Sequence, residues 1–295
     1  MFTLHNGDCL QIMPSIPSGS IDAIITDLPY GTTACEWDSV IPLAPMWEQV
    51  KRVLKTNGVF VTTSSQPFTS VLVCSNLSMF RYEWIWQKDR PTNIFFKEVQ
   101  PMKYHENILV FSLSGSHNMS IEKATYYPQM ELKPKQNKRK NRERTFRNNG
   151  IFGDRVFEYK SKRGEQDDTY PNSIQFFNRH QNGEHPTQKP LELYRYLIRT
   201  YTNEGETVLD ICMGSGTTIE AAEIEGRNSI GIEKEIGYFR IAEKRAKSAV
   251  LQQRLFTPSN NRLHMDAGDS PRLPSQSTLE GFTPAEQGTT PAPRQ

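Results

Sequence analysis

Ile21-Asp22-Ala23-Ile24-Ile25-Thr26-Asp27-Leu28-Pro29-Tyr30 opens as a short apolar run and ends abruptly in a carboxylate, a proline and an aromatic ring, followed by Gly31-Thr32-Thr33. An apolar run bounded by turn residues predicts a buried strand whose C-terminal end feeds a loop. In open α/β sheets, ligands sit at that edge. Asp27 offers carboxylate acceptors. Pro29 lacks an N–H and holds Leu28 extended, which aims the Leu28 carbonyl toward the same point. Tyr30 adds a flat face for a planar base. Two acceptors and a platform suit the exocyclic amino group of a nucleobase. The same residues also fit a strand end with a proline turn and a core tyrosine, so the choice rests on the rest of the chain.

The second informative stretch is Thr207-Val208-Leu209-Asp210-Ile211-Cys212-Met213-Gly214-Ser215-Gly216-Thr217-Thr218, followed by Ile219-Glu220-Ala221-Ala222. It reads strand, glycine loop, helix start. Gly214 and Gly216 let the backbone approach a ligand, and the helix N-terminus presents free N–H groups to an anion. Arg227 to Glu233 is another strand ending in an acid. Glu233 lies 23 residues after Asp210, near the ~20-residue offset at which an acid meets ribose hydroxyls in dinucleotide folds. The loop lacks GxGxxG, which disfavours a nicotinamide site.

Between these stretches the chain alternates strand and helix. Phe2-Thr3-Leu4-His5 predicts an edge strand, and Asp8 either caps the helix that follows or contacts a ligand. Met46, Trp47, Val50, Val53 and Leu54 recur at helical spacing, Asn57-Gly58 stops that helix, and Val59-Phe60-Val61 is the next strand. Pro67 to Leu77 predicts a helix, and Tyr82 to Lys88 and Asn107 to Ser112 predict strands, with Trp84 and Trp86 facing the core. This β–α–β rhythm implies a parallel sheet wrapped by helices. From about 116 to 183 it gives way to irregular polar sequence, in which Phe146, Phe152, Phe157, Tyr159, Phe176 and Phe177 suffice for a small satellite core. Order returns at His185-Pro186-Thr187-Gln188-Lys189-Pro190. Pro190 starts a helix to about Thr202 that buries Leu193, Leu197 and Ile198. Ile236 to about Leu255 predicts a final amphipathic helix with Lys and Arg outward. From Thr257 on, prolines among Ser, Thr, Gln and Gly predict a disordered tail.

The chain is 295 residues long with net charge +2, but the charge is uneven. Between Lys133 and Arg163, twelve Lys or Arg face three acids, leaving +9 there and −7 elsewhere. A connection this long needs a job. A basic insert on a mildly acidic body is the footprint of a polyanion binder, with Lys133, Lys135, Lys138, Arg139, Lys140, Arg142, Arg144 and Arg147 as phosphate-contacting candidates. Cys9, Cys35, Cys74 and Cys212 are scattered without a CxxC pair, which argues against a zinc site or a disulfide framework, and no metal is expected. The N-terminus has no export-signal pattern, and no apolar run approaches the ~18 residues of a membrane span.

Taken together, Asp27-Leu28-Pro29-Tyr30 resembles the D/N/S-P-P-Y motif of the SAM-dependent DNA amino-methyltransferases (N6-adenine/N4-cytosine family). Leu209 to Thr218 resembles that family's D-P-F-x-G-S-G-T loop for S-adenosyl-L-methionine (SAM), and His185 to Pro190 resembles its H-P-T-Q-K-P motif. The order, with the catalytic motif first, then a long insert, then the SAM loop, is similar to that of the permuted β group. The resemblance covers about residues 1–255. It implies an α/β fold: a Rossmann-like SAM-methyltransferase sheet with helices on both faces and an irregular inserted target-recognition region. Residues 1–115 form the catalytic half, 116–183 the basic insert, 184–256 the SAM-binding half and 257–295 the tail.

By the same resemblance, Asp27 and the Leu28 carbonyl hold the target amino group beside Pro29, and Tyr30 stacks on the flipped base. Asp210, Cys212, Gly214, Ser215, Gly216 and Thr217 line the cofactor with Lys189 nearby. Glu233 takes the ribose hydroxyls and Asp8 lies near the adenine. Two departures stand out: Leu28 replaces a proline, and Ile211-Cys212 replaces Pro-Phe. Asp at the first motif position implies adenine N6, with cytosine N4 the alternative and an inactive DNA-binding subunit a third reading. Protein or RNA methylation fits less well, because such enzymes place the SAM loop first and lack the basic insert. The implied partners are double-stranded DNA and a cognate restriction endonuclease, in the cytoplasm of a bacterial or phage-infected cell.

Overall fold

The computed structural model describes residues 1–32, 38–114, 123–132, 145–147, 156–158, 168–179 and 188–256. The candidate cations Lys133, Lys135, Lys138, Arg139, Lys140, Arg142 and Arg144, the Arg147 side chain, His185 to Thr187 and the tail from 257 lie outside the described residues.

In chain order the first half contains β1 (Phe2–Asn6), α1 (Cys9–Ile12), β2 (Ile21–Asp27), α2 (Leu43–Val53), β3 (Leu54–Ser64), α3 (Phe68–Ser75), β4 (Phe80–Gln87) and β5 (His105–Ser112). Short strands follow in the insert: β6 (Glu131–Leu132), β7 (Thr145–Arg147), β8 (Val156–Glu158), β9 (Asp168–Thr169) and β10 (Ile174–Phe176). The last part contains α4 (Leu191–Tyr201), β11 (Thr207–Asp210), α5 (Thr217–Ile224), β12 (Asn228–Glu233) and α6 (Ile236–Phe256). Eight strands form one sheet in the order β1-β12-β11-β2-β3-β5-β4-β10. β5 runs antiparallel to both neighbours and every other pair is parallel.

The central strands are apolar throughout because both faces of the sheet are covered. Alternation then sends successive side chains to opposite layers. Ile24, Phe60, Leu109, Phe111 and Leu209 pack with Met46, Trp47 and Val50 of α2 and Phe68 and Leu72 of α3. Ala23, Ile25, Val59, Val61, Ile108 and Val110 pack on the other face against Leu193, Leu197 and Tyr201 of α4 and Ala221 and Ala222 of α5. This is the doubly covered α/β sheet expected from the rhythm, and Trp84 and Trp86 are core residues as anticipated.

Four expectations change. Asn57-Gly58 does not separate helix from strand: β3 begins at Leu54, and the pair sits in a bulge where Ile21 faces Leu54 and Ala23 already faces Val59. A Cβ on Gly58 would lie 3.0 Å from the Asp22 and Lys55 carbonyls, so the glycine is there for close backbone approach. β5 is antiparallel because no crossover helix separates it from β4. Phe177 is no part of a satellite core. Its ring packs on Tyr196 of α4 at 5.7 Å between centroids, while Phe176 is exposed. Arg245 of α6 does not point outward; it is mostly enclosed and reaches the Ser215 carbonyl at 2.7 Å.

Candidate active site

Four adjacent parallel strands, β1, β12, β11 and β2, end side by side, and each delivers a polar residue to one rim: Asn6, Glu233, Asp210 and Asp27. The early acidic corner and the late glycine bend are therefore neighbours. The Thr26 hydroxyl of β2 donates to Asp210 Oδ1 at 2.7 Å, joining positions 184 residues apart. Asp8 caps α1, accepting from the Leu10 N–H at 2.8 Å, and also faces the cavity that opens at the rim.

That cavity has a volume of about 250 Å3 and is lined by Asp8, Asp27, Leu28, Pro29, Lys189, Asp210, Cys212, Gly214, Ser215, Thr217 and Glu233. Two expected residues are not on its wall. Gly216 has φ +83°, and a Cβ there would lie 2.7 Å from the Ala242 Cβ, so this glycine serves the packing of α6 on the loop. Tyr30 sits behind Asp27. Its ring stacks on Phe68 at 5.4 Å and its hydroxyl donates to Asp27 Oδ1 at 2.9 Å. Gly214 (φ +53°) has no atom within 4 Å of where a Cβ would stand.

Asp27 accepts from three side chains. Oδ1 accepts from the Tyr30 and Thr63 hydroxyls, and Oδ2 accepts from Lys189 Nζ at 2.8 Å. Lys189 also lies 3.5 Å from Glu106 Oε2, an ion-pair distance without hydrogen-bond alignment. Glu106 in turn pairs with Lys88. Burial alone would lower the Lys189 ammonium, but the Asp27 and Glu106 carboxylates outweigh it and hold the group above the ordinary lysine value. Burial would raise Glu106, but Lys189 and Lys88 outweigh that and hold it below its ordinary value. The Tyr30 phenol is pushed far up by burial and by the Asp27 charge, so it stays a donor.

The acids that end β11 and β12 behave differently. Burial pushes the Asp210 carboxyl up to about 6, although Thr218, Thr26 and the Cys212 N–H all donate to it. Burial also raises Glu233, whose oxygens accept from the Gly214 N–H at 2.8 Å and the Glu235 N–H at 2.7 Å. A carboxylate has about four lone-pair sites, so Glu233 keeps acceptors for two vicinal hydroxyls. Gln188 Oε1, on the cavity wall, is buried without a partner. A nucleoside carrying a cationic amino-acid end satisfies both sets of acceptors. The wall thus fits SAM.

Sequence reasoning missed Thr26, Thr63, Lys88, Glu106 and Tyr194, a buried residue of α4 that also lines the cavity. The two threonines are legible as hydroxyls placed where apolar strands run out toward the ligand edge. Glu106 and Lys88 are not legible, because their pairing depends on the β4–β5 hairpin.

Among the described residues there is no cluster of His, Cys, Asp or Glu able to hold a metal and no helix long and apolar enough to cross a membrane. A family model described as DNA methylase matches residues 21–244. The chain is 27% identical over 251 residues to the Type II methyltransferase M1.MboII of Moraxella bovis, covering 80% of this chain and 92% of that one. It is 26% identical over 271 residues to the DNA adenine methyltransferase YhdJ of Escherichia coli, covering 82% of each. Among solved structures, the M1.HpyAVI–SAM complex superposes with a TM-score of 0.53 at 25% identity, covering 83% of this chain and all of that one. The PvuII cytosine-N4-specific DNA methyltransferase shares the fold, with a TM-score of 0.56 at 17% identity over 83% of this chain and 86% of that one. The acidic rim, the glycine bend and these likenesses lead to one conclusion: the chain belongs to the SAM-dependent N6/N4 DNA amino-methyltransferases.

Proposed function

We propose that the protein methylates the N6 amino group of adenine in duplex DNA, after the base has been flipped into the cavity. SAM supplies a methyl group on a sulfonium centre. The carrying observation is the arrangement at Asp27. Of its roughly four lone-pair sites, three are occupied by Tyr30, Thr63 and Lys189, which leaves one on Oδ2. One amino hydrogen donates there and the other to the Leu28 carbonyl, which turns the nitrogen lone pair toward the methyl group. With SAM bound, the nitrogen would attack the methyl carbon as the C–S bond breaks, S-adenosylhomocysteine would leave, and the extra proton would pass to solvent water. Positioning supplies most of the acceleration, and the chain contributes no covalent nucleophile. Pro29 keeps the Leu28 carbonyl extended, and Tyr30, braced on Phe68, supports the base from behind the carboxylate.

On the cofactor side, Glu233 takes the ribose hydroxyls and Asp8 the adenine. Asp210, Cys212, Gly214, Ser215 and Thr217 line the remainder. We assign Lys189 to Asp27 rather than to the cofactor, because both its ion partners belong to the target side. Gly216 acts through packing. The basic insert, residues 116–183, is the target-recognition region, and its phosphate-binding cations are Lys133, Lys135, Lys138, Arg139, Lys140, Arg142, Arg144 and Arg147. The motif order supports a reading as a member of the permuted β group, working in the cytoplasm where duplex DNA and SAM meet, with a restriction endonuclease of the same specificity as its natural counterpart.

Cytosine N4 is the second reading, favoured by the shared fold with the cytosine-N4 enzyme and by acceptors that serve either amino group. Incubation with DNA and labelled SAM, digestion to nucleosides and mass analysis separates the two. N6-methyladenine supports the proposal. N4-methylcytosine replaces it, and no methylated base refutes it.

A further inference from the structure

The connection between β4 and β5 has no role so far. β4 and β3 are both antiparallel to β5, so residues 88–104 leave the sheet on the same edge as Asp27. The segment is internally bonded: the Lys88 N–H reaches the Tyr104 carbonyl at 2.7 Å, and Asn93 Oδ1 accepts from the Lys103 N–H at 2.6 Å. Its stem is tied to the active site twice, through the ion pairs Lys88–Glu106–Lys189–Asp27 and through Lys103, which donates to Ser65 just beyond the end of β3. Yet the tip is apolar and faces solvent. Phe95 is 95% exposed and Val99 78%, with Ile94 and Phe96 beside them. An ordered loop that shows so much apolar surface marks an interaction site. Arg90, paired with Asp89 at 3.4 Å, and the adjacent exposed Lys97 and Glu98 leave the loop without a strong charge of either sign, so the apolar tip is its distinguishing feature.

We propose that Phe95 is a wedge that enters the base stack of duplex DNA at the place vacated by the target base. This inference rests on the base-flipping reading above. Asp27 sits in a cavity, so a stacked base must leave the helix to reach it, and the gap it leaves is closed by an apolar side chain between base steps. The stem joins wedge and carboxylate through buried ion pairs, so insertion and seating of the base occur in one geometry.

The test compares Phe95→Ala and Phe95→Leu with wild type on two DNA substrates: a duplex that wild type methylates, and the same duplex with an abasic position opposite the target base. Phe95 is solvent-exposed, so both variants keep the wild-type melting temperature and SAM affinity. Phe95→Ala lowers the single-turnover rate on the paired duplex about tenfold or more, the loss shrinks on the abasic duplex, and Phe95→Leu retains most of the rate. Unchanged rates, or an equal loss on both substrates, overturn the wedge. So does a change in sedimentation from dimer to monomer accompanied by that equal loss, which assigns the patch to a second copy of the chain. Wild type that methylates single-stranded but no duplex DNA overturns the base-flipping reading itself, and this inference with it.

Discussion

Substituting Gly216 and Gly214 separately by alanine tests whether the glycine bend is built for the ligand or for the fold. Gly216 has φ +83°, where a side chain costs about 1–2 kcal/mol. Its added Cβ would lie 2.7 Å from the Ala242 Cβ and 2.8 Å from the Ala242 Cα, and backbone of α6 must move, at a further 1–3 kcal/mol or so. The expected loss is therefore about 2–5 kcal/mol, a large share of the ~5–15 kcal/mol that holds a typical domain. Gly214 has φ +53° but no atom within 4 Å of the added Cβ, so Gly214→Ala loses only about 1–2 kcal/mol. Its methyl group would project into the cavity, so SAM affinity falls while the fold persists. Urea denaturation followed by circular dichroism measures the first effect and calorimetric titration with SAM the second. Adding Ala242→Gly to Gly216→Ala removes the opposing methyl group but leaves the α6 backbone carbon just as close, so rescue is partial. Equal stability of the two single variants would refute the reasoning.

Asp27→Ala abolishes methyl transfer and leaves SAM affinity within a few-fold of wild type by calorimetry; lost SAM binding would make Asp27 a structural residue instead. Neutralising Lys138, Arg139 and Lys140 together weakens DNA binding and reduces the slope of log K against log salt by about 0.9 for each phosphate no longer neutralised; an unchanged slope removes these cations from the interface. The folded Asp210 carboxyl titrates near 6, above its ordinary 3.8. Folding therefore takes up a proton in that window, and the neutral group's contribution, complete below about 4, is lost as pH rises through 6. The stability difference between wild type and Asp210→Asn should fall by about 2 kcal/mol from pH 4 to 7. A flat difference in chemical denaturation across that range would show that the carboxyl is not desolvated.

Much of the architecture could be read from local pattern. β2 and β11 are apolar segments closed by an acid, and the loop after β11 contains glycines that adopt positive φ. What stayed hidden depends on neighbours far along the chain. Gly216 looks like a ligand glycine until α6 is laid across it. Asn57-Gly58 looks like a helix stop because the Asp22 carbonyl that excludes a side chain comes from another strand. Glu106 sits at the open end of a strand where an acid is unremarkable, and only hairpin pairing brings it to Lys88 and Lys189. Tyr30 was legible as part of the motif, but its brace, Phe68, belongs to a helix 38 residues later.

The strand order also has a consequence for synthesis. β12 and β11 lie between β1 and β2 but leave the ribosome last. A nascent chain that has reached β5 therefore holds β2, buried along almost its whole length when complete, with one backbone edge unpaired. An open apolar edge invites pairing with other chains, and closing it over so long a sequence separation is slow. A shortened chain lacking β11 and β12 should form inclusion bodies rather than a weakened enzyme.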